Sequence, residues 1–123
     1  TRWIVEELGP EVPVHFTAFH PDWRMGDVPP TPASTLRRAR QIALGNGVRY
    51  AYTGNVTHPE GSMTRCVCGE VLIARDGYDI AWWNLAADGR CPACGARCAG
   101  VFEERPGRWG SRRQPISISE AVA

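Results

Sequence analysis

No stretch of this chain stays apolar for the ~20 residues that a membrane span needs, so no bilayer-crossing helix is expected. No charge sign dominates either. Fourteen basic residues face 13 acidic ones, and a net charge of +1 provides no field to gather nucleic acid or a membrane surface. The N-terminus lacks the apolar core of a signal peptide, because Trp3, Ile4 and Val5 run straight into Glu6 and Glu7. A cytoplasmic location is the expectation. The first 65 residues hold no cysteine, and the five present are an odd number clustered at short spacing. Both facts argue against a disulfide framework.

What is present reads as two unlike halves and a tail. Residues 2–8 read as the end of a helix stopped by Gly9-Pro10, and residues 12–19 as a strand rich in aromatic and β-branched side chains. A proline-rich loop leads to Thr31, read as an N-cap with Pro32 in the first helical position. Leu36, Ala39, Ile42 and Ala43 recur at helical spacing, and Gly45-Asn46-Gly47 closes the helix. Val48 to Tyr52 reads as a second strand, ended by Thr53-Gly54-Asn55. This rhythm predicts an α/β fold with a parallel sheet over residues 1–60. Two strands do not make a stable parallel sheet alone, since both faces must be covered. Together with a start at Thr1 inside a helix, this predicts a fragment whose remaining strands lie upstream or in another chain.

Residues 61–104 follow another grammar, of short strands and glycine turns around cysteines. Val71 to Ala74 and Tyr78 to Leu85 are expected to form a hairpin turning at Asp76-Gly77. Cys91-Pro92-Ala93-Cys94-Gly95 is a zinc knuckle: two intervening residues let one turn aim both sulfurs at one ion. Cys66-Val67-Cys68-Gly69 is its partner, one residue shorter than usual. Cys66, Cys68, Cys91 and Cys94 together predict a closed, structural metal site, with zinc preferred and a rubredoxin-like iron site allowed by the same spacing. Cys98 is spare, either a small buried hydrophobe near Val101 or a substitute ligand. Residues 105–123 are Arg-, Gly-, Ser- and Pro-rich and are expected to be a flexible tail, with too few interleaved aromatics to suggest nucleic-acid binding.

Other polar residues carry weaker signals. His20 ends the first strand, where a side chain reaches the ligand-bearing mouth of a β/α fold, although a lone histidine there is more often a loop contact. His15 lies on the opposite face from Phe16. Gly54 and Asn55 can offer backbone amides to a ligand or simply end a strand. Asp22 and Asp27 read as turn caps and His58 as solvated. Arg37, Arg38 and Arg40 read as an exposed helix face, and Trp82-Trp83 as packing for the ribbon.

Three segments in combination carry a resemblance: His15-Phe16-Thr17-Ala18-Phe19-His20-Pro21-Asp22, Asp27-Val28-Pro29-Pro30-Thr31-Pro32, and Tyr52-Thr53-Gly54-Asn55-Val56. With Gly69-Glu70-Val71-Leu72-Ile73, Arg75-Asp76-Gly77-Tyr78 and the Cys91 knuckle in the same order, the chain up to Phe102 resembles the C-terminal part of radical SAM enzymes of the AmmeMemoRadiSam system. These are relatives of the pyruvate formate-lyase activating enzymes. The resemblance implies the last β/α units of a partial TIM-type barrel, followed by a zinc-ribbon-like module. It also implies S-adenosylmethionine and a [4Fe–4S] cluster that together generate a 5′-deoxyadenosyl radical. By that likeness His20 becomes a cofactor contact, joined by Gly54 and Asn55. The implied partners are the missing N-terminal barrel part and Memo-type and other proteins of the system.

Two departures stand out. The Cys-x3-Cys-x2-Cys cluster motif is absent, so the chain alone is expected to be catalytically inert. The first cysteine pair is also one residue shorter than the family's. The rival expectations are a stand-alone zinc-ribbon module that binds a protein or nucleic-acid partner, and a rubredoxin-like electron carrier.

Overall fold

The fold is that of a computed structural model, which describes residues 1–107, 110 and 111. Most of the expected tail, residues 108, 109 and 112–123, lies outside the described residues. The chain opens with a helical turn whose Ile4–Leu8 part has π geometry. Strand β1 (Val14–Thr17), helix α1 (Ala33–Gly45) and strand β2 (Ala51–Gly54) follow. β1 and β2 pair in parallel, with Val14 opposite Ala51 and Thr17 opposite Gly54. Among the described residues the parallel sheet has these two strands, and no barrel closes.

Alternation along the strands decides what each face meets. Val14 and Phe16 pack with Ala43 of α1, Val48 and Ala51, and Val5 of the first turn joins them. His15 points the other way, and its ring lies 5.0 Å from that of Tyr52. Helix α1 begins one residue later than expected, and Pro32, not Thr31, is its N-cap. Thr31 is otherwise engaged: its Oγ1 accepts from the Phe19 amide (3.0 Å), and its own amide donates to the Phe19 carbonyl (3.1 Å). The proline-rich loop is thereby tied back to the end of β1, with a short 3-10 turn at Trp23–Met25 capped by Asp22. β2 runs later than expected, which puts Thr53 and Gly54 inside the strand.

A second, antiparallel sheet has the order β3 (Met63–Arg65), β4 (Val71–Asp76), β5 (Asp79–Trp83). The hairpin turns at Gly77-Tyr78, one residue beyond the expected Asp76-Gly77. Gly77 has φ +58°, as the first position of a II′ turn demands, and that moves the register. Trp82 and Trp83 part company by strand alternation. Trp83 meets Phe102 edge-on with ring centroids 6.2 Å apart, whereas Trp82 is exposed and its Nε1 donates to the Val71 carbonyl.

The larger core joins the two sheets. Tyr50 packs with Leu72, Ile73, Leu85, Cys91 and Cys98, and Tyr52 flanks the cluster. Polar contacts reinforce the seam. The Tyr50 hydroxyl accepts from the Ala99 amide (3.1 Å) and donates to Cys98 Sγ (3.7 Å), while Tyr52 and Thr64 share a hydrogen bond of 2.8 Å. Burial, above all, raises the Tyr50 phenol beyond its ordinary pKa. The parallel pair therefore has α1 on one face, while on the other the cysteine-bearing half packs against Tyr50 and Tyr52 at β2 and leaves His15 and Thr17 of β1 exposed. Part of the cover expected from further strands is thus supplied within this chain, on the β2 side.

Replacing Tyr50 by Phe strands the Ala99 amide beneath an apolar ring. A loss of about 1–3 kcal/mol in unfolding free energy is expected from urea titration. An unchanged midpoint would mean that the seam contributes nothing.

Candidate metal centre

Each half of the cysteine group sits on a tight turn. After β3, the Cys66 amide donates to the Glu70 carbonyl (2.8 Å) and the Gly69 amide to the Cys66 carbonyl (2.9 Å). After β5, an isolated bridge pairs Arg90 with Arg97, and inside it Cys91 and Ala96 bond at 2.9 Å and Gly95 and Cys91 at 2.8 Å. Gly69 (φ +94°) and Gly95 (φ +74°) occupy matching left-handed positions, which residues with a Cβ resist. The one-residue gap in Cys66-Val67-Cys68 is thus accommodated by the same turn logic as the full knuckle.

The turns bring four sulfurs together. All four Sγ atoms lie within 4.8 Å of one another, Cys66 to Cys94 at 3.5 Å and Cys68 to Cys91 at 3.8 Å. A tetrahedron of thiolates about 2.3 Å from a central ion has edges of roughly 3.8 Å, whereas a disulfide would bring two sulfurs to about 2.05 Å. The group can hold a metal ion such as zinc. Four iron atoms in a cluster would spread their cysteine ligands more widely than this, so the arrangement suits a single ion. Cys91 is buried, Cys66 half-buried, and Cys68 and Cys94 exposed. Cys98 stands apart. It is buried, but its neighbour is Tyr50, and Val101 is fully exposed.

Electrostatics point the same way. Burial opposes ionisation of Cys91, but amides of Cys94 and Ala93 and the nearby thiols outweigh it and lower the pKa to about 7. At Cys94 the Ala96 amide favours the thiolate, yet the Cys66 and Cys68 sulfurs and desolvation prevail and push it up to about 12. Cys68 is likewise raised despite its bond from the Glu70 amide. One thiolate forms readily and its neighbours then resist, because like charges cannot share so small a volume without a cation.

The remaining candidate residues gather at the carboxyl ends of β1 and β2. His20 is exposed, three residues beyond β1. Gly54 ends β2, and its carbonyl accepts from the Ala18 amide. Asn55 has φ +58°, and its Nδ2 donates to the Ala18 carbonyl at 3.3 Å, knotting the two strand ends together. His58, expected to be solvated, is half-buried and bonded through Nδ1 to Thr53 Oγ1 (3.1 Å). Desolvation first, then the charges of Arg40 and Arg37, lowers its pKa. Arg40 is not a purely solvated helix residue either, because its Nε donates to the Ala51 carbonyl at 2.8 Å. Sequence reasoning overlooked Tyr50, Tyr52, Thr64 and Arg75. The signal for the tyrosines was their period-two spacing around Ala51, which puts both rings on one face.

Comparison with known proteins finds one relative of note, the uncharacterized protein MJ0808 of Methanocaldococcus jannaschii. It is 44% identical over 98 residues, which is 78% of this chain and 29% of the relative. The chain therefore spans under a third of the length of the curated relative it matches. No family model matches the chain, and no solved structure matches it significantly.

Metal analysis of the purified protein is expected to find about one ion per chain, and Cys94→Ser to lower that content sharply. An unchanged content would remove the site. Loading displaces protons from thiols, so affinity measured against a chromophoric chelator should fall as pH drops from roughly 8 to roughly 6. A pH-independent affinity would contradict thiolate ligation.

Proposed function

We propose that this chain is the C-terminal segment of a radical SAM enzyme of the AmmeMemoRadiSam type, the last β/α units of a partial barrel with a zinc-ribbon-like cap. The observation that carries this reading is the parallel β1–α1–β2 unit. It brings His20, Gly54 and Asn55 to the carboxyl ends of adjacent strands, the face on which such folds bind ligands. The match to a relative more than three times as long as the aligned stretch supports a segment of a longer protein.

In this reading S-adenosylmethionine and a [4Fe–4S] cluster, when bound, supply the hydrogen-abstracting radical. This chain's own contribution is positioning. His20, with the backbone at Gly54 and Asn55, would hold the S-adenosylmethionine. The Asn55 side chain, bonded to the Ala18 carbonyl, holds the two strand ends at fixed spacing. The cluster is ligated elsewhere, because no Cys-x3-Cys-x2-Cys occurs in this sequence and the four clustered cysteines suit one ion. That ion is a structural zinc, since four thiolates leave no open coordination position. The free edge of β1 accepts a preceding barrel strand, which makes the N-terminal barrel part the first partner, with Memo-type proteins of the system beyond it. Such an enzyme works in the cytoplasm.

The test is titration of S-adenosylmethionine into protein that joins this chain to whatever the reading frame encodes before Thr1. His20→Ala should weaken binding by about tenfold. Unchanged affinity would sink the role of His20. A preceding frame without the cluster motif would favour the rival reading, a zinc-ribbon module that binds a partner.

A further inference from the structure

A cleft of about 410 Å³ lies along the seam, on the face of β1 and β2 turned away from α1. That volume falls within the range of small-molecule sites. Pro13, Ile73, Ala99 and the Phe102 ring form an apolar wall, and His15, Tyr52, Ser62 and Thr64 line the cleft with polar groups. Gly100 lets Phe102 close in, since a Cβ there would sit 2.9 Å from the ring. Its one full charge is Arg75, and none of its lining residues is acidic.

Arg75 is half-buried, and among the described residues no carboxylate lies within ion-pair distance of it. Its Nη1 donates to Thr64 Oγ1 (3.1 Å) and to the Ser62 carbonyl (3.3 Å), and its guanidinium faces the Tyr52 ring at 5.5 Å. These contacts fix one nitrogen and the plane of the group. The remaining N–H donors of the five that a guanidinium carries have no protein acceptor among the described residues. A partly buried cation held rigidly, with donors to spare and no counter-charge, is arranged to meet an anion.

We infer that this cleft binds a small monocarboxylate with an apolar or aromatic body. The carboxylate pairs with Arg75, and the body packs between Ile73, Ala99 and Phe102. One guanidinium balances one negative charge, and the apolar walls select against a compact, highly charged phosphate. The site lies on the inner face of the strand pair and is separate from the four cysteines and from the strand ends where His20 stands.

Sodium benzoate is the probe, added to the full metal-loaded chain and followed by amide chemical shifts. Shifts should concentrate at Ile73, Ala99 and Phe102. Benzamide, the neutral isostere, should bind about tenfold or more weakly, a comparison that needs no variant. Arg75→Gln should lose binding to a similar degree while keeping its metal. The inference is overturned if benzoate leaves those amides unmoved, if benzamide binds as tightly, or if inorganic phosphate binds as well as benzoate. It is also overturned if a folded Arg75→Gln protein retains the affinity.

Discussion

Four sulfurs contributed by two turns, more than twenty residues apart in sequence, meet within 4.8 Å, and thiols so crowded cannot ionise together without a cation between them. The opposed shifts at Cys91, down to about 7, and Cys94, up to about 12, are the mark of that crowding. A divalent ion removes the conflict and ties the end of β3 to the segment after β5. That segment continues directly into Cys98 and Ala99, which meet the Tyr50 hydroxyl. The hold of an ion bound there would therefore extend through a few covalent bonds to the seam between the two sheets. The module's own core is short, Leu72, Ile73 and Leu85 with Cys91 and Cys98, and an ion bound by the four sulfurs would add to its order.

The parallel pair depends on that seam in turn. Its α1 face is closed by Val14, Phe16, Ala43 and Ala51, and the β2 side of its other face by the module. What stays open, among the described residues, is the outer edge of each strand, the His15 side of β1, the carboxyl mouth with His20, and the cleft at Arg75. The mouth also carries Trp23, 82% exposed, with the Arg24 guanidinium stacked on it at 4.3 Å. Large side chains held out into solvent beside the strand ends suit contact with further protein.

The cysteine group was legible from spacing because its chemistry is local: a knuckle's geometry is written in four or five residues. The β-α-β order was legible for a similar reason, through proline, glycine and apolar periodicity. Register and caps were less so. Thr31 reads as an N-cap until its hydroxyl is seen bonded to Phe19, a partner 12 residues away. The hairpin turn moved one residue because a II′ turn wants its glycine first, a preference that Asp-Gly patterning hides. The role of the module as cover for the parallel sheet was not legible at all. It rests on Tyr50 and Tyr52 meeting residues 12 to 49 positions away, and no local pattern encodes such pairing.

The same distinction separates the site's two chemistries. The metal group declares its ligands. The strand ends declare only an arrangement, in which Asn55 fixes the spacing and His20 stands exposed. X-ray absorption at the metal edge of protein purified without added metal tests the central claim most directly. The account predicts a first shell of four sulfur scatterers at about 2.3 Å from one ion. Fewer sulfurs with nitrogen or oxygen in their place, or a fully ordered protein with no metal edge, would contradict it.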